Sequence, residues 1–227
     1  MIDDCGSVEA CAERLNRLRE KAVGAGFPGI HLHVISCFLD TMIAQMNGQL
    51  PVAPGDPLCA WIGRDPGELF RALGIDSHGD YGWQWNGGFP QTDSETVRRR
   101  TLERWRDRIG NGAIPSYPTV MVGWDTSPRT VQSDMYEPRG YPWCDIWSQT
   151  PEEFRFMLAE AKKTLEARPP QERVCFLNAW NEWTEGAYLE PDTVHGYGFL
   201  EAVRDIYGTR PRLREARRKT ETNTISS

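Results

Sequence analysis

The sequence of 227 residues contains no apolar run approaching the roughly 20 residues that a membrane-spanning helix requires, so a spanning protein is excluded. It has no Cys-x-x-Cys pair among its six cysteines (Cys5, Cys11, Cys37, Cys59, Cys144 and Cys175) and only four histidines, which argues against a zinc site. It lacks a glycine-rich phosphate loop of either nucleotide type, so no nucleotide cofactor is expected. It lacks an excess of positive charge: 26 Lys and Arg against 32 Asp and Glu leave a net charge of −6. A whole-domain nucleic-acid binder carries a basic surface, so that class is set aside. There is no low-complexity segment and no internal repeat. The start, Met1-Ile2-Asp3-Asp4-Cys5, is acidic and has no apolar signal region. Together with the unpaired cysteines, this reads as a reduced, cytoplasmic protein.

What is present is an ordinary globular balance, 39% hydrophobic and 26% charged residues. A chain of this size buries about 72% of its unfolded surface, enough for a core without staples. Residues 1–208 read as one folded unit. Residues 209–227 read as a tail, basic over Arg210, Arg212, Arg214, Arg217, Arg218 and Lys219, then polar, solvated and frayed.

The folded part alternates amphipathic stretches with short apolar runs. Val8, Cys11, Leu15, Leu18 and Ala22 predict a helix from Ser7 to Ala25. Ile30 to Cys37 predicts a buried strand, and a Pro- and Gly-rich loop follows from Gly48 to Gly63. Asp65-Pro66-Gly67-Glu68 opens a short helix that stops at Gly74, and Ile75 opens a brief strand. Ser94 is placed as the cap of the next helix. Tyr117 to Gly123 is a strand, Thr150-Pro151-Glu152-Glu153 is a capping box, and Val174 to Ala179 is another strand. Phe199 to Tyr207 is a terminal helix. A leading helix followed by four strand–helix units implies a parallel sheet. Chemistry-bearing loops after the strands, with plain loops after the helices, suit a (β/α)8 TIM-barrel type. Four units in place of eight mean either strands missed in the long loops or a partial barrel.

The segment richest in chemistry follows the Val174–Ala179 strand: Asn178-Ala179-Trp180-Asn181-Glu182-Trp183-Thr184-Glu185-Gly186-Ala187-Tyr188-Leu189-Glu190-Pro191-Asp192. Glu182 and Glu185 are three residues apart, so a turn brings both carboxylates toward one substrate. Glycoside chemistry needs such a pair, and close spacing suits retention of configuration. Trp180, Trp183 and Tyr188 offer flat faces to a sugar. A bare Glu-x-x-Glu equally suits a helix cap or a solvated turn; the aromatics, the asparagines and the strand end turn the reading toward function.

The run Trp-Asn-Glu-Trp-Thr-Glu-Gly-x-x-Leu-Glu-Pro resembles the signature of glycoside hydrolase family 99 and its WbsX-type relatives, the latter described as glycosyltransferases of surface-polysaccharide gene clusters. Pro118-Thr119-Val120-Met121-Val122-Gly123-Trp124-Asp125 with Pro128-Arg129, Thr150-Pro151-Glu152-x-Phe154, and Gly196 to Ala202 resemble the same group. The resemblance is closest over about residues 115–207 and looser over 7–90. It implies a (β/α)8 barrel acting on α-mannoside-like glycans or bacterial surface polysaccharide, by retaining hydrolysis or glycosyl transfer. It implies Glu182 as the base that activates the sugar's own 2-hydroxyl and Glu185 as the acid/base at the glycosidic oxygen. Family 99 hydrolases usually carry His where this chain has Thr184, which leans the resemblance toward the WbsX branch. The family's amino-terminal half has no visible counterpart. The expectation is therefore a truncated or split barrel, completed by a missing N-terminal half-barrel or by a homo-oligomer.

Around the pair, Trp124, Asp125, Trp180, Asn181, Trp183, Tyr188 and Glu190 are the expected substrate-binding residues, although Asp125 also suits a turn or cap. Tyr136, Tyr141, Trp143 and Trp147 suit either a sugar cleft or a loop core. The His78-Gly79-Asp80-Tyr81-Gly82-Trp83 segment ends another strand near the same mouth. Two other classes stay open. One is a non-catalytic glycan-binding module or inactive truncated barrel. The other is a metal-dependent amidohydrolase using His31 and His33, which alternate onto one strand face. Only His78 and His195 remain as further histidines, so no metal is expected.

Overall fold

Ser7 starts the first helix by accepting the Ala10 N–H on its hydroxyl at 3.1 Å, the usual way to satisfy an orphan N-terminal donor. The computed structural model describes residues 5–35, 39–83, 91–111, 114–129 and 146–208. Outside that range lie the tail 209–227, Cys37, Cys144, Tyr136, Tyr141 and Trp143. Helix α1 (Val8–Gly24) turns Val8 and Cys11 inward. Strand β1 (His33–Ile35) leads to helix α2 (Leu39–Met46), then a 3-10 turn at Pro57–Trp61 and helix α3 (Pro66–Leu73). Asp65 caps α3 through the Gly67 N–H at 3.1 Å, with Pro66 as its first helical residue. Strand β2 (Ser77–Gly79), helix α4 (Ser94–Asn111) and strands β3 (Thr119–Met121), β4 (Gly123–Trp124) and β5 (Trp147–Ser148) follow. Helix α5 (Pro151–Glu166), strands β6 (Phe176–Asn178), β7 (Asn181–Glu182) and β8 (Ala187–Tyr188), and helix α6 (Gly198–Tyr207) complete the order.

Several elements differ from expectation. Helix α2 lies in the stretch between the strand expected over Ile30–Cys37 and the loop expected from Gly48, to which the sequence reading assigns no element. Asp93 rather than Ser94 caps α4, accepting the Thr96 N–H at 2.7 Å. Ser94 is helical, and its hydroxyl instead donates to Glu153 of the α5 capping box at 3.0 Å. The strand expected over 117–123 divides into β3 and β4.

The strands join in parallel. His33, Val34 and Ile35 of β1 face Ser77, His78 and Gly79 of β2. His78 bridges in parallel to Ser116, donating to the Pro115 carbonyl at 3.0 Å and accepting from the Tyr117 N–H at 2.9 Å. Thr119, Val120 and Met121 of β3 face Phe176, Leu177 and Asn178 of β6. Two parallel pairs, β1–β2 and β3–β6, are thus joined by the His78–Ser116 bridge just ahead of β3, which sets the strands in the order β1, β2, β3, β6 with a helical crossing at each step. Among the described residues this arc does not close into a barrel. The antiparallel pairs β4–β5 and β7–β8 lie beyond the carboxyl ends of β3 and β6.

Two apolar cores hold the arc. One gathers Val8, Cys11, Met46, Leu58, Trp61, Leu69, Phe70 and Leu73 from the amino-terminal elements. The other gathers Trp83, Trp105, Val120, Met121, Trp124, Trp147, Phe154, Met157, Leu158 and Phe199. Each large side chain fully buried there contributes about 1.5–3 kcal/mol. No described helix is long and apolar enough to cross a membrane.

Candidate functional site

The carboxyl ends of β2, β3 and β6 converge on one small polar cluster. The chain leaves β6 through a cis Asn178–Ala179 peptide and enters β7, whose Asn181 and Glu182 pair with Tyr188 and Ala187 of β8. Trp183–Glu185 forms a 3-10 turn, ended by Gly186 at φ +61°, whose N–H returns to the Trp183 carbonyl at 3.1 Å. The turn is pinned to β4, because the Asp125 N–H donates to the Glu185 carbonyl at 2.6 Å. The pinning is close enough that a Cβ on Gly186 would stand 3.0 Å from both Asp125 N and Asp125 Cβ.

On this frame Glu185 is buried, 2% exposed, and both of its oxygens are hydrogen-bonded. Arg129 Nη1 donates to Oε1 at 2.7 Å and the Tyr81 hydroxyl donates to Oε2 at 3.0 Å. Glu182 is more open, with 37% of its side chain exposed. Its Oε1 accepts from Arg129 Nη2 at 2.6 Å and from the Thr184 hydroxyl at 2.9 Å. Arg129 Nε donates to Thr184 Oγ1 at 2.7 Å. One guanidinium therefore bridges two glutamates, which satisfies charges that would otherwise repel. Tyr81 is tied in place by Asn178 Nδ2, which donates to its carbonyl at 2.8 Å. Burial, and then the bond to Glu185, push the Tyr81 hydroxyl up to about 12, so it stays a donor at neutral pH. Chemically, the cluster offers one accessible and one sheltered carboxylate, with a cation and a phenol fixed against them.

The expected binding residues divide into three groups. Trp183 and Tyr188 stack at 3.7 Å with 14° between their planes. Trp183 Nε1 donates to Glu190 Oε2 at 2.6 Å, and the Tyr188 hydroxyl donates to Asp192 Oδ2 at 3.1 Å. Burial and then Asp192 push the Tyr188 hydroxyl up. Burial opposes the charge on Asp192, but the His195 and Val194 N–H groups outweigh it and hold that carboxyl below its usual range. Trp180 and Asn181 are exposed, Trp180 by 56%, and the Trp180 carbonyl accepts the Leu189 and Glu190 N–H groups. Trp124 is buried in the core and meets the Tyr81 ring edge-on at 6.3 Å. Asp125 Oδ1 accepts the Ser127 N–H at 2.9 Å, the turn arrangement. Trp147 stacks on Trp83 at 5.6 Å inside the core.

Arg129 and Thr184 have no role in the sequence-based residue set, and Tyr81 enters it only within a segment. A lone Arg has no spacing signature. Two signals point to it: Pro128-Arg129 belongs to the run that resembles the family, and Arg129 is the cation in the turn after Asp125, beside strand ends that carry Glu182 and Glu185. His31 Nε2 and His33 Nδ1 share the Ser77 hydroxyl at 2.6 and 2.7 Å, so the two rings do face one side. Among the described residues no group of three or more His, Cys, Asp or Glu gathers around a metal position.

Comparison with known proteins adds three findings. The family model described as Glycosyltransferase WbsX matches residues 1–203, so the likeness extends through the amino-terminal elements as well. Two proteins of Xanthomonas campestris pv. campestris, both named uncharacterized protein WxcX, are 38% identical over 124 and 97 residues, 54% and 42% of this chain. The matched segments are 16% and 12% of those relatives, so the chain spans a small part of their length. The GH99 endo-alpha-mannosidase from Bacteriodes thetaiotaomicron, solved in complex with BIS-TRIS-Propane, aligns at 14% identity over 62% of this chain and 41% of that one, with a TM-score of 0.34.

Proposed function

The chain belongs to the WbsX glycosyltransferase family, and on that premise we propose that it acts on glycosidic bonds with Glu182 and Glu185 as its reactive pair. The supporting observation is the convergence of Tyr81, Arg129 and both glutamates from the loops after three neighbouring parallel strands. Sites on parallel β/α units belong at that end. The four sequential units are read as consecutive units of a (β/α)8 barrel.

In this reading Glu182, the more open carboxylate, takes the proton from the sugar's 2-hydroxyl. As that oxygen bonds to the anomeric carbon, the glycosidic bond breaks and Glu185, as the acid, gives a proton to the departing oxygen. The acceptor hydroxyl or water then bonds to the anomeric carbon, loses its proton to Glu185 and displaces the 2-oxygen, which recovers its proton from Glu182. Trp180, Trp183 and Tyr188 are the sugar platform, and Asn181, Glu190, Trp124 and Asp125 complete the binding surface. The substrate class is an α-mannoside-like glycan or a bacterial surface polysaccharide, and the reaction is retaining hydrolysis or transfer to a second sugar.

The test is turnover of α-mannan oligosaccharides and surface polysaccharide by the purified chain, with and without sugar acceptors, beside Glu182→Gln and Glu185→Gln. Each substitution is expected to lower turnover by about 10²–10⁴-fold while the chain stays folded. Glycan binding that survives Glu185→Gln, with no turnover by the folded wild-type chain, would replace the enzyme with a binding module.

A further inference from the structure

We propose that Arg129, acting with Thr184, is a positioning residue that fixes the separation and orientation of Glu182 and Glu185. The inference rests on the reading of those glutamates as the reactive pair. The 3-10 turn Ser127–Arg129 begins where Asp125 Oδ1 takes the Ser127 N–H, and it closes with the Arg129 N–H on the Thr126 carbonyl at 2.9 Å. That turn aims the guanidinium at the Trp183–Glu185 turn. All three of its nitrogens are then engaged by side chains within four consecutive residues: Nη2 by Glu182, Nε by Thr184 and Nη1 by Glu185.

The fork is planar and rigid, so the distance between Nη1 and Nη2 sets how far apart the two carboxylate oxygens stand. The Thr184 hydroxyl has one possible direction. Arginine Nε cannot accept, so Thr184 Oγ1 accepts from it and must spend its own proton on Glu182. Glu182 is thereby held from two sides, by Nη2 directly and by Nε through the hydroxyl. Lysine cannot reproduce this, since a single ammonium nitrogen cannot span both carboxylates and a hydroxyl in one plane. Valine at 184 would leave the Nε–H without its acceptor and Glu182 without its second donor. Serine keeps both.

Two measurements test this. The first needs no substrate: proton–nitrogen NMR of arginine-labelled protein, with the Arg129 signals assigned by their loss in Arg129→Lys. Separate, slowly exchanging Nη protons are expected in the wild type. Glu182→Gln and Glu185→Gln should each collapse the hindered rotation, and Thr184→Val should shift the Nε–H alone. Averaged Nη signals in the wild type would overturn the clamp. The second is kinetic, on whichever glycan the wild type turns over. Arg129→Lys is expected to lower kcat about a hundredfold, the usual consequence of an ångström-scale misplacement, with KM near its wild-type value. Thr184→Val should lower kcat in the same sense, Thr184→Ser should recover most of that loss, and millimolar guanidinium should restore turnover to Arg129→Gly. Unchanged kcat in Arg129→Lys would overturn the positioning role while leaving the reactive pair standing. Unchanged turnover in Glu182→Gln and Glu185→Gln would remove the pair itself, a separate failure.

Discussion

Glu185 and His33 are both drawn in from solvent, but they meet different neighbours. Glu185 has a guanidinium and a phenol on its two oxygens, whereas His33 has another histidine across the Ser77 hydroxyl. Burial, and then the nearby His31, push the His33 imidazole below its ordinary value. The groups facing it are His31 across the shared Ser77 hydroxyl, Tyr117 and Phe176. The unfolded chain binds a proton at this histidine near pH 6.5, while the folded chain refuses it until the pH is lower. The stability owed to a neutral His33 is therefore complete above about pH 7.5 and is lost as the pH falls through the 6.5 region. Urea midpoints measured from pH 8 to pH 5 are expected to decline in the wild type and to decline less in His33→Gln. Identical slopes would show that His33 takes its proton freely. The same contrast explains what was readable at this scale. Glu182 and Glu185 announce themselves by spacing and by their aromatic neighbours. Arg129 and Tyr81 lie 53 and 104 residues away from the glutamates they bond, and no local pattern records such a pairing.

Elements whose signals are local were legible. The Thr150 box, with both reciprocal bonds present, and the Asp65–Pro66 start are written within four residues each. Helix α2 carries a helical period in Leu39, Met42, Ile43 and Met46, but over only eight residues, short of the roughly 11-residue window in which periodicity separates helix from the strand signal just before it. The turn that holds the reactive pair has a local signal of its own, Gly186. Its φ of +61° suits glycine, and a Cβ there would press on Asp125 N and Cβ at 3.0 Å. Gly48 has a similar φ of +71° but open space around it. Alanine at either position carries the left-handed penalty of about 1–2 kcal/mol. Alanine at 186 must in addition move Asp125 or the Trp183–Glu185 turn. Thermal denaturation should therefore rank Gly186→Ala clearly below Gly48→Ala, and only the former should perturb the Arg129 bonds to the glutamates. Equal losses would mean that the turn and β4 separate at little cost.

At the scale of the molecule, alternation of strand and helix gave the number of units, but the curl of the arc depends on contacts between distant strands. A flat sheet would set β1 and β6 about 14 Å apart, three strand spacings. Yet the His33 ring of β1 stacks on the Phe176 ring of β6 at 4.3 Å with 23° between planes, and His33 also lies 5.9 Å from Tyr117. Inward side chains of the two outer strands meet only if the arc bends around them. This stack is a direct link between the amino-terminal strand and the carboxyl-terminal one, whose flanking helices otherwise feed separate cores. A double-mutant cycle measures it. His33→Ala, Phe176→Ala and the double variant, unfolded in urea at pH 8 where His33 is neutral, are expected to show a coupling of about 0.5–1.5 kcal/mol. Leu69→Ala with Met157→Ala, one from each core, should add without coupling. Coincident fluorescence and circular-dichroism transitions in every variant would keep the cycle interpretable as two-state. Coupling in the ring pair alone would show that the two outer strands close on each other through their side chains. No coupling there would mean that the ring stack does not draw the two outer strands together and that the halves are held by the His78–Ser116 bridge and the Tyr81 bonds to Glu185 and Asn178.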